Sequence, residues 1–469
     1  MNLKLESTDS GENPKGEFYK LLKETNDKYG DENKGFEQSM TYSEIFRNGI
    51  YLGTYGYGNS REIIRYIRDF LVYGEKRYVL KHNFNHIASL CKILPGSSSS
   101  QILITLATLK SRSIFGGFLS FIGFNLPSLS VTLIIAFIMR SIKIVYKSFT
   151  EVTIDGYQLF NKEDQYYLYI ISVFAAGIGQ GAISLLFQGW LKVLVQEATS
   201  KFQTFLIIFA CIVYYLMGCN AYSPAGIMLL CGLASLCMMD SNYALDHSDF
   251  TMQLEHVNFI GWPCLMLCLV LYIILFLLNF FLGIKGGIFD IMESFYRMGC
   301  LLFAGGHMIA PFLLTEHCDE NLVEEADILN GLAFASLLPG PIANISGYVG
   351  TLINGVLGGV IATFCLFLPG MLIALGCIKY IDTFKRILKL QYFLKGVCSG
   401  AIGILITAIF KFWYDSCFVN PYSNIHMGTI NIIICYLMLD KLEIPIPLVL
   451  SFGSMFSFFS FLIVDTFRN

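Results

Sequence analysis

Four serines and a glutamine, Ser97, Ser98, Ser99, Ser100 and Gln101, follow directly on Leu94-Pro95-Gly96 within an otherwise apolar stretch. Proline removes a backbone donor and glycine relaxes the chain, so Pro95-Gly96 interrupts any helix there. The helix that restarts leaves its first N–H groups unpaired and carries partial positive charge at its start. Hydroxyl and amide groups on that turn can cap the helix or donate to a bound anion. A second interruption, Leu338-Pro339-Gly340-Pro341, is followed by Ala343, Asn344 and Ser346, a sparser donor set. Lys92 stands three residues before Pro95, with Ser336 in the equivalent place before Pro339. An ammonium in an apolar segment either supplies fixed charge to a site or snorkels to a helix end.

Other titratable residues are sparser. Arg47 and Arg297 each stand two residues before an aligned glycine, Gly49 and Gly299, and are candidates for gating or for attracting an anion at a membrane rim. His307 follows Gly305-Gly306 inside an apolar segment and is a candidate for proton coupling. His82 and His86 are four apart, but no carboxylate or cysteine completes a metal site beside them. The 14 cysteines contain no Cys-x-x-Cys pair; Cys264 and Cys268, one helical turn apart, read as packing. No nucleotide loop, zinc-hydrolase helix or nucleophile elbow occurs, so neither an enzyme nor an ATP-driven pump is expected, and no cofactor.

The segments that hold these residues are membrane spans. Of 469 residues 55% are hydrophobic and only 14% charged, against roughly 25% in a soluble domain. No Asp, Glu, Lys or Arg occurs in 113–139, 166–191, 202–239, 260–283, 328–378 or 444–464. Each run meets the ~20 residues needed to cross a bilayer. Thirteen spans are expected, near 43–58, 84–110, 114–139, 166–190, 203–218, 223–239, 260–283, 291–315, 328–349, 355–378, 392–412, 428–440 and 444–464. The first and twelfth are short enough to be re-entrant. Residues 1–42 read as a polar, disordered tail. A net charge of −3 gives no reason to expect nucleic acid.

The interruptions recur. Phe46-Arg47-Asn48-Gly49, Leu94-Pro95-Gly96, Gly116-Gly117 and Leu126-Pro127-Ser128 are echoed by Tyr296-Arg297-Met298-Gly299, Leu338-Pro339-Gly340-Pro341, Gly358-Gly359 and Leu368-Pro369-Gly370. Gly117 to Pro127 and Gly359 to Pro369 are both 10 residues. Later, Gly177 and Gly181 answer to Gly396 and Gly400, pairs of small residues that let helices approach closely. Residues 43–239 and 291–469 are therefore read as two repeats, joined by 240–290 with its own span. Seven crossings between equivalent elements predict an inverted second repeat. Loop 59–83 is rich in Arg and Lys while 316–327 holds six acids and no Lys or Arg, which agrees; 140–165 and 379–395 both bear Lys and Arg, which does not. Helices broken at matching places in two repeats are expected to build one mid-membrane site in a secondary transporter.

At these residues the sequence resembles the chromate ion transporter family, in its two-domain form. Phe303-Ala304-Gly305-Gly306 stands for the family's F-G-G element, and Leu322-Val323-Glu324-Glu325 through Asn330-Gly331-Leu332-Ala333 for its acidic lead-in. Leu338-Pro339-Gly340-Pro341, Gly358-Gly359 and Phe367-Leu368-Pro369 complete the second half. Tyr55-Gly56-Tyr57-Gly58, Leu94-Pro95-Gly96 and Phe124-Asn125-Leu126-Pro127 match more loosely in the first; Tyr57 and Ser97 depart from the pattern. The resemblance implies an all-α, multi-pass carrier of oxyanions such as chromate or sulfate. The expected partners are that anion, a coupling proton and the lipid bilayer, with room for a homodimer. An anion channel is the nearest alternative, ahead of a membrane-embedded enzyme or a non-transporting scaffold.

Overall fold

The computed structural model describes residues 40–57, 60–74, 76–151, 162–198, 200–217, 223–237, 260–303, 305–318, 322–380, 383, 387–419 and 425–468. Most of the expected N-terminal tail, and residues 240–259 of the expected linker, lie outside them. Among the described residues there are sixteen α-helices and no strand. In the first half these are α1 (Tyr42–Tyr55), α2 (Ser60–Tyr73), α3 (Lys81–Ile93), α4 (Ser98–Ser111), α5 (Ile114–Glu151), α6 (Lys162–Glu197), α7 (Lys201–Leu216) and α8 (Ser223–Leu236). After α9 (Trp262–Leu282) come α10 (Ile288–Leu301), α11 (Ile309–Leu313), α12 (Glu325–Leu337), α13 (Ile345–Ile378), α14 (Leu388–Tyr414), α15 (Ile425–Asp440) and α16 (Ile446–Arg468).

Among the described residues, six stretches are long and apolar enough to cross a membrane: Ile114–Lys143, Val173–Glu197, Trp262–Leu282, Ile342–Ile378, Leu388–Phe418 and Ile446–Ile463. Their outer faces are greasy. Leu267, Val270, Ile274, Leu277 and Phe281 of α9 are all exposed, as are Phe205, Ile208 and Ile212 of α7. Such faces are stable only against lipid. The protein is an all-α, multi-pass membrane protein.

Two of the expected spans are built differently from a simple crossing. The stretch 84–110 is divided at Leu94–Ser97, and α3 and α4 fold back on each other: Ser98 Oγ donates to Cys91 O (3.0 Å), and Thr105 lies beside Cys91. In the second half α12 and the start of α13 pair likewise, with Phe334 against Tyr348 (6.1 Å) and Gly331 under the Tyr348 ring. A further reversal follows each hairpin. Arg112, in the left-handed region at φ 55°, turns α4 into α5, and Gly117 packs on the Ile104 carbonyl. Asn354 and Gly355 (φ 70°) do the same within α13, bringing Ser346 to Thr363 (3.3 Å). Ile342–Ile378 is therefore two arms rather than one crossing.

The long arms α5 and α13 run in opposite directions. Arg140 donates to Thr351 O (2.9 Å) and stands against Gly355, whereas Phe121 packs on Phe367 (5.4 Å). Lys143 pairs with Asp327 (2.5 Å) and Glu324 (3.3 Å), so the basic end of α5 and the acidic start of α12 share one end of the bundle. The small-residue faces pack across the halves. Gly177 and Gly181 of α6 meet Gly453, Ser454 and Leu450 of α16, and Gly396 and Gly400 of α14 meet Cys231 and Met228 of α8. Close packing is their role.

Candidate functional site

Each chain break is held by the other half of the molecule. Gly96 N–H donates to Leu302 O at the end of α10 (2.9 Å), and Gly340 N–H donates to Gly56 O at the end of α1 (2.8 Å). Both glycines lie at positive φ, 121° and 105°, which a side chain would oppose. Gln101 Nε2 bonds Pro95 O (2.6 Å) and Gly370 O (3.0 Å), tying the first break to the second half's Leu-Pro element. Asn344 Nδ2 bonds Ser128 Oγ (2.5 Å), tying the second break to the first half's Leu-Pro element. A Cβ on Gly96 would lie 3.0 Å from Gly370 Cα, and one on Gly340 would lie 2.9 Å from Ser128 Oγ. Pro127 and Pro369 interrupt the α5 and α13 ladders beside these contacts.

The two breaks are also close to one another. Leu302 touches the first break, and Gly306, four residues on, abuts Ile342 in the second. Four extended residues reach roughly 14 Å at most. Leu302 and Gly306, one at each interruption, are thus held near one another, with Gly305 at φ 107°.

The α4 arm carries the unsatisfied polarity. Ser97, Ser99, Ser100, Gln101, Thr105 and Thr108 are all buried. Ser97 makes no side-chain cap to the helix it starts. Thr105 Oγ1 has only the Cys91 thiol beside it, and the hydroxyls of Ser100 and Thr108 and Gln101 Oε1 have no hydrogen-bond partner within the protein. On other elements, Thr132 Oγ1, Tyr348 OH, Asn125 Oδ1 and Asn344 Oδ1 are in the same state. Buried hydroxyls without partners are rare, and a group of them marks room for something polar. Near the second break, Ser336, Gly340, Ile342 and His307 line a small cavity with Ser60 and Ile63 of α2. The His307 ring lies over Gly189, and its Nδ1 has no partner. Pro339 and Pro341 flank the turn at Gly340.

Three sequence candidates stand elsewhere. Lys92 is exposed on α3 beside Ile93, away from the buried arm. Arg47 is exposed on α1. Arg297 is not a rim residue: it is buried between Glu293 and Glu316, with Nε to Glu293 Oε1 at 2.8 Å and Nη1 to Glu316 Oε1 at 2.5 Å. Two carboxylates occupy its guanidinium. The sequence reading passed over Thr105, Thr108, Ser128 and Gly370. Ser97, Gln101, Thr105 and Thr108 recur at helical spacing, a polar stripe in an apolar helix that could have been followed.

Comparison with known proteins agrees with this architecture. A profile of the family described as "Chromate transporter" matches twice, over residues 43–236 and 289–458. An uncharacterized transporter of Methanocaldococcus jannaschii is 23% identical over 373 residues, 78% of this chain and 83% of that protein. A chromate transport protein of Pseudomonas aeruginosa is 22% identical over 371 residues, 78% of this chain and 80% of that protein. An uncharacterized transporter of Bacillus subtilis, 24% identical over 188 residues, is matched over 91% of its own length by 38% of this chain. No solved structure matches. With the motifs of both halves interlocked and the profile matched twice, the chain is a two-domain, multi-pass member of the chromate transporter family.

Proposed function

We propose that this chain is a secondary carrier of small inorganic oxyanions of the chromate or sulfate type, working by alternating access at the two breaks. The observation that carries the reading is the row of buried, unpartnered hydroxyls on α4, beginning at a helix N-terminus without a side-chain cap. Hydroxyl donors and the positive end of a helix are what an oxyanion requires where water is excluded. Ser97, Ser98, Ser99, Ser100 and Gln101 with Pro95-Gly96 form one wall. Gly305, Gly306, Pro339, Gly340, Pro341 and Asn344 form the other. Lys92, exposed beside the break, attracts the anion to the approach rather than binding it. The opposed directions of α5 and α13 support two inverted repeats that rock about the site.

Uptake of labelled chromate and sulfate into proteoliposomes tests this. Ser100→Ala removes a hydroxyl without a partner in the fold, so its unfolding temperature should hold, whereas Thr105→Val also removes a hydroxyl that sits beside the Cys91 thiol. A hydrogen bond to a charged ligand contributes about 1.5–3 kcal/mol, so KM should rise about 10-fold or more. Unchanged KM in both variants would remove these hydroxyls from the site. Flux that climbs linearly with gradient, without saturation, would favour a channel.

A further inference from the structure

We propose that Glu293, Arg297 and Glu316, with His317 beside them, form the site at which the carrier takes up and releases a proton; this rests on the carrier reading above. Arg297 holds both carboxylates at once, Nε and Nη2 reaching Glu293 (2.8 and 3.3 Å) and Nη1 and Nη2 reaching Glu316 (2.5 and 2.8 Å). All three side chains are nearly buried, at 11%, 5% and 7% exposure. Two carboxylates share one guanidinium in an apolar interior, where a second negative charge is costly. A proton on one carboxyl removes it, and the carboxyl keeps a hydrogen bond.

A second group points the same way. His317 is 2% exposed, its ring stacks on Phe295 (5.1 Å), and neither ring nitrogen has a partner. It adjoins Glu316 on a π-turn, Leu314–Cys318, a widened turn often found at working sites. The titratable groups that α9 and α13 turn toward α10 are Cys268, Tyr272 and Cys365, which gather about Tyr296 and Cys300. On α12, Asp327 is held by Lys143 and Glu325 by Lys411.

The cluster is mechanically joined to the first break. Arg297 and Leu302 lie five residues apart, about 7.5 Å along a helix, and Leu302 O accepts from Gly96 N–H. Loading or emptying the carboxyl pair therefore acts on the carbonyl that seats the break. An anion crossing needs a compensating charge, and a proton taken from one side and given to the other supplies it.

The test is oxyanion accumulation in proteoliposomes under an imposed pH gradient, with proton movement followed by an internal pH-sensitive dye. Glu316→Gln and Glu293→Gln should reduce gradient-driven accumulation to the level seen without a gradient. Exchange of internal for external anion, which moves no net proton, should persist and report an intact fold. If both variants accumulate like wild type, the proposal is wrong. Wild-type uptake indifferent to the gradient overturns the proton site and leaves the carrier standing. If wild type transports neither anion, the carrier reading falls; the site is then judged by infrared difference spectra between acid and alkaline buffer. A protonated-carboxyl band that Glu316→Gln removes supports it, and a band unchanged by both substitutions overturns it.

Discussion

Gln101 and Ser100 are neighbours with opposite duties. Gln101 Nε2 satisfies two buried carbonyls, Pro95 O and Gly370 O, one from each half. Ser100 Oγ satisfies none. Removing a donor from a buried acceptor costs about 1–3 kcal/mol per group left unpaired. Gln101→Ala should therefore lower the unfolding temperature of the detergent-solubilised protein clearly. Gln101→Glu should lower it further, because a carboxylate presents oxygens to two carbonyl oxygens. Asn344→Ala should cost less, since it takes a donor only from the Ser128 hydroxyl oxygen, and that hydroxyl still donates to the Asn125 carbonyl. Equal losses in Gln101→Ala and Ser100→Ala would mean the break is not seated as described. From sequence, Ser97–Gln101 are equivalent donors on one turn. Only the fold separates the residue that ties the break from those left open, because Gly370 lies 269 positions away from Gln101. Arg297 was legible differently: Glu293 and Arg297 stand four apart, a helical ion pair readable at once, whereas Glu316 reaches them only through the return of α11 and its π-turn.

Helices in this molecule meet through glycine. A Cβ on Gly396 would stand 2.4 Å from Cys231 O and 2.6 Å from Ser235 Cβ, so α14 and α8 touch backbone to backbone. Gly396→Ala must push them apart, and overpacking of this kind costs about 1–3 kcal/mol. Gly226, exposed on α8 with nothing within 4 Å of an added Cβ, is the matched control. Gly226→Ala should be neutral or slightly stabilising, since alanine is favoured over glycine in a helix by about 0.5–1 kcal/mol. Thermal unfolding of the two variants side by side checks both signs. These glycine faces, the Pro-Gly breaks and the apolar runs were readable because each is a local property of composition. The hairpins were not. Hydropathy carries no direction, and the apolar run 84–110 reads as one crossing whether the chain continues after Gly96 or turns back.

At the scale of the whole chain, the contacts that seat the breaks and the glycine faces cross from one half to the other. Gly96 needs Leu302 and Gly370; Gly340 needs Gly56 and Ser128; the α6 glycines need α16, and the α14 glycines need α8. Duplication was plain in the sequence, but duplication alone permits two self-contained halves lying side by side. The observed exchange does not. A first half made alone would leave the Gly96 N–H, the Pro95 carbonyl's partner Gln101 and the α6 face without their seats, in lipid, where unmet backbone groups cost several kcal/mol each. Expressed separately, with the chain divided within 240–259, each half should be degraded or aggregate. Expressed together, the halves should co-purify through a tag on one of them and restore saturable oxyanion uptake. A single half that runs as a stable, monodisperse species would show that the crossed contacts are dispensable, and the breaks would then have to be held by something within each repeat.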